Sequence, residues 1–342
     1  PPRSTLFPYT TLFRSRRREL EQLAYETEFR YGYLPVSTPH ITKESLYWTS
    51  GHLPLYEQVM YPPLRIHEEA TEGGVAAEQG PGAEEKYYLK PMNCPHHHLL
   101  YRAEPRSYRD LPLRFAEYGT VYRLERSGQL QGLTRVRGMT INDAHLYVTR
   151  DQLLPELKAV MELHREYYEL FGFDDYYMRL SLWDPDDPKR ASKYIDQPED
   201  WAFSQKIVQQ ALEDLDLWYT IEIGDAAFYG PKIDVQFRTV TGRDFTVSTN
   251  QLDFAQPARF DLTYTDRDGK DKTPYCIHRA PLGTHERFIA FLIEHYGGAF
   301  PTWLAPVQAV VIPISDEQTA YAEKVRDLLR AENAQLRQTL ER

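Results

Sequence analysis

The chain has 342 residues, 42% hydrophobic and 26% charged, with a formal net charge of −10. This balance excludes a disordered polypeptide and a general polyanion binder, and leaves room for a sizeable core and a local basic site. No apolar run reaches the roughly eighteen residues of a membrane-spanning helix, and the two cysteines, Cys94 and Cys276, exclude a disulfide scaffold and fit a reducing, cytoplasmic setting.

Residues 1–16 repeat Thr-Leu-Phe between Arg-Ser pairs and carry no acid. They are expected to be a non-native or disordered extension, so the folded chain is read from residue 17. Glu19 to Arg30 places Leu20, Leu23 and Ala24 on one helical face. Gly32 to Pro39 ends that helix and begins an extended segment. Residues 68–85, rich in Glu, Gly and Ala, predict an exposed loop, and Tyr87 to Lys90 a short strand. Asp151 to Leu170 predicts a helix with Leu153, Leu157, Val160, Met161 and Leu163 inside. Tyr176 to Leu182 alternates as a strand, and Trp201 to Leu215 reads as a helix. Tyr219 to Ile223, Lys232 to Val240 and Asp244 to Thr249 alternate as strands, the last two joined at Gly242 as a hairpin. After the linker Pro301 to Pro306, Val307 to Ile314 predicts an apolar strand and Asp316 to Leu340 an amphipathic helix. One strand and one helix are too little for a domain, so the chain is expected to stop inside a second, α/β domain. The larger part predicts an α+β fold, an antiparallel β-sheet with flanking helices.

Three segments carry chemistry. The first is Lys90-Pro91-Met92-Asn93-Cys94-Pro95-His96-His97-His98. Cys94 offers a thiolate, and His145 and His278 are candidate partners, with Cys276 a rival. One Cys with two His leaves positions open on a zinc ion for water or substrate. The same residues also fit a buried thiol and two core histidines. His96 to His98 are read as surface or helix-start residues, since three neighbours on a helix cannot face one ion.

The second segment runs from Arg114 through Arg123-Leu124-Glu125 to Arg135 and Gly138, as strand, loop and strand. Arg123 and Glu125 are two apart and are expected on one sheet face, with Arg135 returning beside them. Arginine clamps phosphate bidentately and Glu can hold Mg²⁺ or an amino group; a solvated charged ladder is the alternative. The third segment, His278 to Leu292, passes from strand to helix through Gly283, with Arg287 in the first turns.

Together these segments resemble the three motifs of the class II aminoacyl-tRNA synthetases, specifically the threonyl family. Residues 17–39 resemble motif 1, residues 114–150 motif 2 with Arg123-Leu124-Glu125, and residues 278–306 motif 3 with Gly283-Thr284-His285-Glu286-Arg287. Lys90 to Pro95, Ser107 to Arg114, Ala227 to Lys232, Gln251 to Phe254 and Pro301 to Pro306 are also similar to that family. The resemblance implies a class II catalytic fold over 17–305, followed by the start of an α/β anticodon-binding domain over 306–342. It implies a homodimer through residues 17–39 and no membrane association. Cys94, His145 and His278 fall on the family's zinc-ligand positions, one Zn²⁺ per chain.

The implied activity joins threonine to ATP, with Mg²⁺, and passes the threonyl group to the 3′ end of tRNA(Thr). Arg123 and Arg287 would clamp the phosphates, Arg135 the outer ones, with Glu125 near the nucleotide or its Mg²⁺. Zinc would take the amino and hydroxyl groups of threonine, and Asp143 would receive the hydroxyl's hydrogen bond. Met92, Tyr229, Lys232, Gln251 and Thr284 would complete the substrate pocket, and His52 would assist transfer. Ile141 and Asn142, and Phe245-Thr246-Val247, depart from the family's Gln-Asp and Trp-Gln-Cys. The family's editing region does not precede the core in this sequence, so serine correction is expected to lie outside this chain, and anticodon reading is expected to be weak. Alternatives are a serine- or proline-type class II synthetase, or an inactive paralogue that senses an amino acid. A zinc hydrolase would need a base beside the metal set, and none is evident.

Overall fold

The computed structural model describes residues 6–67, 84–188, 193–239 and 242–340. The expected loop at 68–85 falls outside these residues except for 84 and 85, as do residues 1–5 of the expected extension and part of the turn before Gly242. The chain divides into two compact units, Leu20–Tyr296 and a smaller one from Pro1–Glu19 with Gly297–Arg342.

The strands in chain order are β1 Leu34–Pro35, β2 Ile41–Lys43, β3 Leu64–His67, β4 Glu84–Leu89, β5 Leu113–Tyr122, β6 Gly138–Val148 and β7 Tyr176–Leu182. They continue with β8 Tyr219–Ile223, β9 Lys232–Arg238, β10 Asp244–Asp253, β11 Tyr264–Thr265, β12 Asp271–Lys272 and β13 Tyr275–Ala280. An eight-stranded sheet runs β1-β5-β6-β13-β10-β9-β7-β8. Its centre is antiparallel, and only the outer pairs β1–β5 and β7–β8 are parallel. Small antiparallel sheets β2-β4-β3 and β11-β12 flank it. The fold is therefore the antiparallel sheet with helices that the patterning predicts, and β9–β10 form the expected hairpin.

Helix Leu153–Leu170 buries Leu153, Leu157, Val160, Met161 and Leu163, the stripe set by their spacing. Helix Pro198–Asp214 begins three residues before the expected Trp201. Pro198 needs no amide partner in the first turn, and Glu199 and Asp200 complement the helix dipole there. Its Trp201 packs in a buried cluster with Tyr194, Phe228, Tyr229 and Phe254, next to the site described below.

Three expectations fail locally. Residues 6–16, expected to belong to a non-native or disordered extension, form the start of the first helix, Leu6–Arg30. β5 ends at Tyr122, so Arg123 and Glu125 do not share a sheet face. The Arg123 amide still reaches Arg137 O at 2.8 Å, but the Glu125 amide turns back to Arg123 O. In the smaller unit Val307 to Ile314 forms no strand, and Ile314 is 93% exposed. A strand needs a neighbour for its amides and carbonyls, and the described residues of that unit offer none. The helix that follows does form, as Thr319–Leu340.

Candidate functional site

Sheet register assembles the site. His278 on β13 stands directly opposite His145 on β6, and on its other side opposite Gln251 on β10, which in turn faces Lys232 on β9. Directly opposed residues share a sheet face. One row across four strands therefore carries Lys232, Gln251, His278 and His145, although they are far apart in sequence. Asp143, two residues before His145, belongs to the same face. The row lines a cavity of about 340 Å³, together with Met92, Cys94, Arg123 and Tyr229.

Cys94 opens the helix Cys94–Arg102 at the edge of this cavity. One ligand atom from each of Cys94, His145 and His278 lies within 4.8 Å of the others, and all three residues are buried. A thiol and two imidazoles are a donor set that suits a borderline-soft ion such as zinc and does not suit Mg²⁺ or Ca²⁺. His278 Nε2 meets Asp253 Oδ2 at 3.0 Å, so the carboxylate orients the ring and leaves Nδ1 facing His145 Nε2 at 2.9 Å. Burial, reinforced by Asp143 and Asp253, pushes the Cys94 thiol well up, so a bound cation must displace its proton. Burial, then His278 and His97, pushes His145 well down and keeps it neutral. The residues present fit a metal ion.

Around this set Tyr229 stacks on His278 at 5.2 Å and donates its hydroxyl to Gln251 Oε1. Asn93 donates to Asp143 Oδ2 at 3.0 Å. Gly119 makes room for that contact, because a Cβ there would lie 2.3 Å from Asn93 Oδ1. Lys232 sits between Asp225 at 3.1 Å and Asp234 at 3.2 Å, so its charge is already matched. His52 is fully buried at the start of a short helix, with Nδ1 on Ser50 Oγ at 2.7 Å and Nε2 on Met92 Sδ at 3.1 Å. Burial, then Arg123, His278 and Arg259, brings it down to about 3.

The arginine group is built from loops. Arg135 pairs with Glu125 at 2.9 Å, as the return of the chain predicts. Arg287 reaches Thr134 O at 3.3 Å, and burial followed by the charges of Arg123 and Arg135 lowers its pKa against the opposing pull of Glu125. Three guanidinium groups near a single carboxylate leave an excess positive charge, which favours a polyanion. Gly283 sets the helix that carries Arg287: its φ is +54°, and a Cβ would lie 2.1 Å from Val247 O.

Of the residues singled out from sequence, Met92, Cys94, Arg123, Asp143, His145, Tyr229, Lys232, Gln251 and His278 line the one cavity. Thr284 does not line it; its hydroxyl caps helix His285–His295 by accepting the Arg287 amide. Cys276 is not a rival ligand, because it is packed with Leu46, Phe115 and Tyr147. His96, His97 and His98 do lie at a helix start, but all three are buried rather than on the surface. The sequence alone gives His97 only a surface or helix-start place, and Glu117 and Asp253 no role. The available signal was spacing: His97 is three residues after Cys94 and so shares its helix face.

The family described as tRNA synthetase class II core domain (G, H, P, S and T) matches residues 78–296. A threonine–tRNA ligase of Chlorobium phaeobacteroides is 48% identical over 313 residues, covering 92% of this chain and 45% of that one. The chain thus spans less than half the length of such relatives. The crystal structure of the RNA binding domain of threonyl-tRNA synthetase from Cryptosporidium parvum superposes with a TM-score of 0.81 at 33% identity, covering 94% of this chain and 74% of that one. A putative threonyl-tRNA synthetase from Aeropyrum pernix gives 0.73 at 30% identity, covering 91% and 66%.

Proposed function

The chain belongs to the class II tRNA synthetase core family, and from that premise we propose that it is the catalytic part of a threonine–tRNA ligase. The observation that carries the reading is one cavity that holds Cys94, His145 and His278 together with Arg123 and Asp143. The substrates would be ATP with Mg²⁺, threonine and tRNA(Thr), in the cytoplasm.

The threonine carboxylate attacks the α-phosphorus of ATP and pyrophosphate leaves. Arg123 and Arg287 stabilise the charge that builds on the phosphoryl oxygens, and Arg135 would hold the outer phosphates with Glu125 beside the nucleotide or its magnesium. Cys94, His145 and His278 would hold a zinc ion, which when bound ligates the amino and hydroxyl groups of threonine. Asp143, steadied by Asn93, accepts the hydroxyl's hydrogen bond. Valine has the same shape without the hydroxyl. A site built around that group rejects it by a factor on the order of 10⁴. In the second step the 3′-terminal hydroxyl of tRNA attacks the carbonyl carbon and AMP leaves. His52, buried with both ring nitrogens engaged and held down to about 3, is a weak base, so its part would be to orient its neighbours rather than to drive the step. The segment 17–39 would pair with a second copy of the chain; its Phe29 and Leu34 are exposed.

A second reading, an amino-acid-binding paralogue without ligase activity, is favoured by one feature, the apolar Ile141 in the cavity wall. Pyrophosphate exchange with threonine, serine and valine, with and without a zinc chelator, separates the two. The ligase reading expects exchange with threonine, weaker exchange with serine, none with valine, and loss of all exchange with chelator. Threonine and zinc binding without exchange would favour the paralogue.

A further inference from the structure

Behind His145, among residues that do not line the cavity, lies a buried chain of polar groups. His145 Nδ1 meets His97 Nδ1 at 2.8 Å. His97 Nε2 meets Glu117 Oε2 at 3.0 Å, and Lys90 Nζ meets Glu117 Oε1 at 3.0 Å. Thr38 adds its amide at 2.9 Å and its hydroxyl at 2.9 Å to the same carboxylate. Lys90 and His97 are fully buried and Glu117 is 4% exposed. A buried ion pair is weak support for stability, because desolvation offsets its attraction and apolar residues would fill the space as well. Its presence behind a metal ligand points to another role.

We infer that Lys90, Glu117 and His97 are positioning residues that hold the His145 ring with its proton on Nδ1, leaving Nε2 bare toward an ion; this rests on the metal reading above. An ionised carboxylate only accepts hydrogen bonds, so the hydrogen it shares with His97 sits on His97 Nε2. With its one hydrogen on Nε2, the His97 ring has a lone pair on Nδ1 and accepts from His145 Nδ1–H. That leaves His145 Nε2 without a proton. On the opposite side Asp253 does the same for His278 and leaves its Nδ1 bare. The two bare nitrogens face each other at 2.9 Å with no hydrogen to share, an arrangement that is repulsive by itself and that a cation relieves. The reverse order, with His97 donating to His145 Nδ1, would put a proton on His145 Nε2. The two ligand rings would then close on each other and offer no site. Lys90 and Thr38 keep Glu117 charged and turned to His97, and so select the open arrangement.

The test uses the full chain and metal alone. Zinc affinity is measured by competition with a chromogenic chelator, and Co²⁺ spectra report the ligand field. Folded Glu117→Gln and His97→Gln should each bind zinc about 10- to 100-fold more weakly and shift the Co²⁺ bands, with the thiolate band retained. Affinities within about threefold of the unmodified chain overturn the inference. Should either variant fail to fold, nitrogen NMR of the unmodified, zinc-free chain decides. A proton on His145 Nδ1 is expected, and one on Nε2 overturns the inference. Zinc binding that is absent from the unmodified chain, or that survives Cys94→Ala, removes the metal reading and this inference with it. Binding lost with Cys94→Ala but indifferent to both relay variants removes the inference alone.

Discussion

The two halves of the site are held by different means. The imidazole half rests on a ladder: His145, His278 and Gln251 are register partners on adjacent strands, fixed by backbone hydrogen bonds on both sides. The arginine half rests on loops and a helix start. Arg123 follows the end of β5, Arg135 lies between strands, and Arg287 sits in a first helical turn. The ladder half buries groups that are neutral or matched in charge, and backs its imidazoles with carboxylates. The loop half carries unmatched positive charge and few fixed partners. Reading a small neutral hydroxyl needs exact placement, which a ladder supplies. Holding flexible phosphates needs charge, which loops can supply.

If this division is right, damage to one half should spare the other. Cys94→Ala should abolish zinc binding and bring threonine-dependent exchange down to the valine level, a loss on the order of 10⁴, as read by exchange assays with both amino acids. Retention of zinc and of the preference would break the ladder half. Arg287→Ala should lower threonine-dependent exchange on the order of 10²- to 10³-fold while zinc content, measured by atomic absorption, stays at the unmodified level. Zinc lost along with activity would show that the halves are not separable.

Glu117 sharpens the comparison through acid stability. Burial pushes its carboxyl up, but the His97 hydrogen bond, the Lys90 and His97 charges and the Thr38 amide outweigh burial and bring it down to about 2 from an ordinary 4.5. The folded value is the lower one, so the stabilisation is full above about pH 4.5 and is lost as pH falls toward 2. It is worth on the order of 3 kcal/mol. Urea titrations across that range should show a steep loss in the unmodified chain and a flatter one in Glu117→Gln; equal slopes would count against the relay's carboxylate. The smallest effect falls on the loop half. Gly283→Ala meets Val247 O and keeps a positive φ, and should cost about 1–3 kcal/mol, seen as a lower Tm. An unchanged Tm would show that this corner has slack.

Much of the fold was legible in the sequence because period-two alternation and apolar stripes are local signals. β7, β8 and helix Leu153–Leu170 lie within two residues of where the pattern puts them. The metal set was legible only through motif resemblance, since three residues on separate segments have no common spacing. The relay was hidden for a physical reason. His97 and Glu117 are 20 residues apart and His97 and His145 48, and their contact depends on how a helix docks on a sheet. The strand expected at Val307–Ile314 misled because apolar runs state a wish for burial, whereas a strand also needs a neighbour. Arg123 and Glu125 misled for a related reason: alternation holds only while the ladder lasts, and β5 ends at Tyr122, short of both.

The most direct measurement is diffraction at the zinc absorption edge from crystals grown with zinc and threonine. The account predicts a single anomalous peak between Cys94 Sγ, His145 Nε2 and His278 Nδ1, with the threonine hydroxyl beside it. A threonine bound in the cavity with no peak among those three atoms, or a peak on other residues, would contradict it.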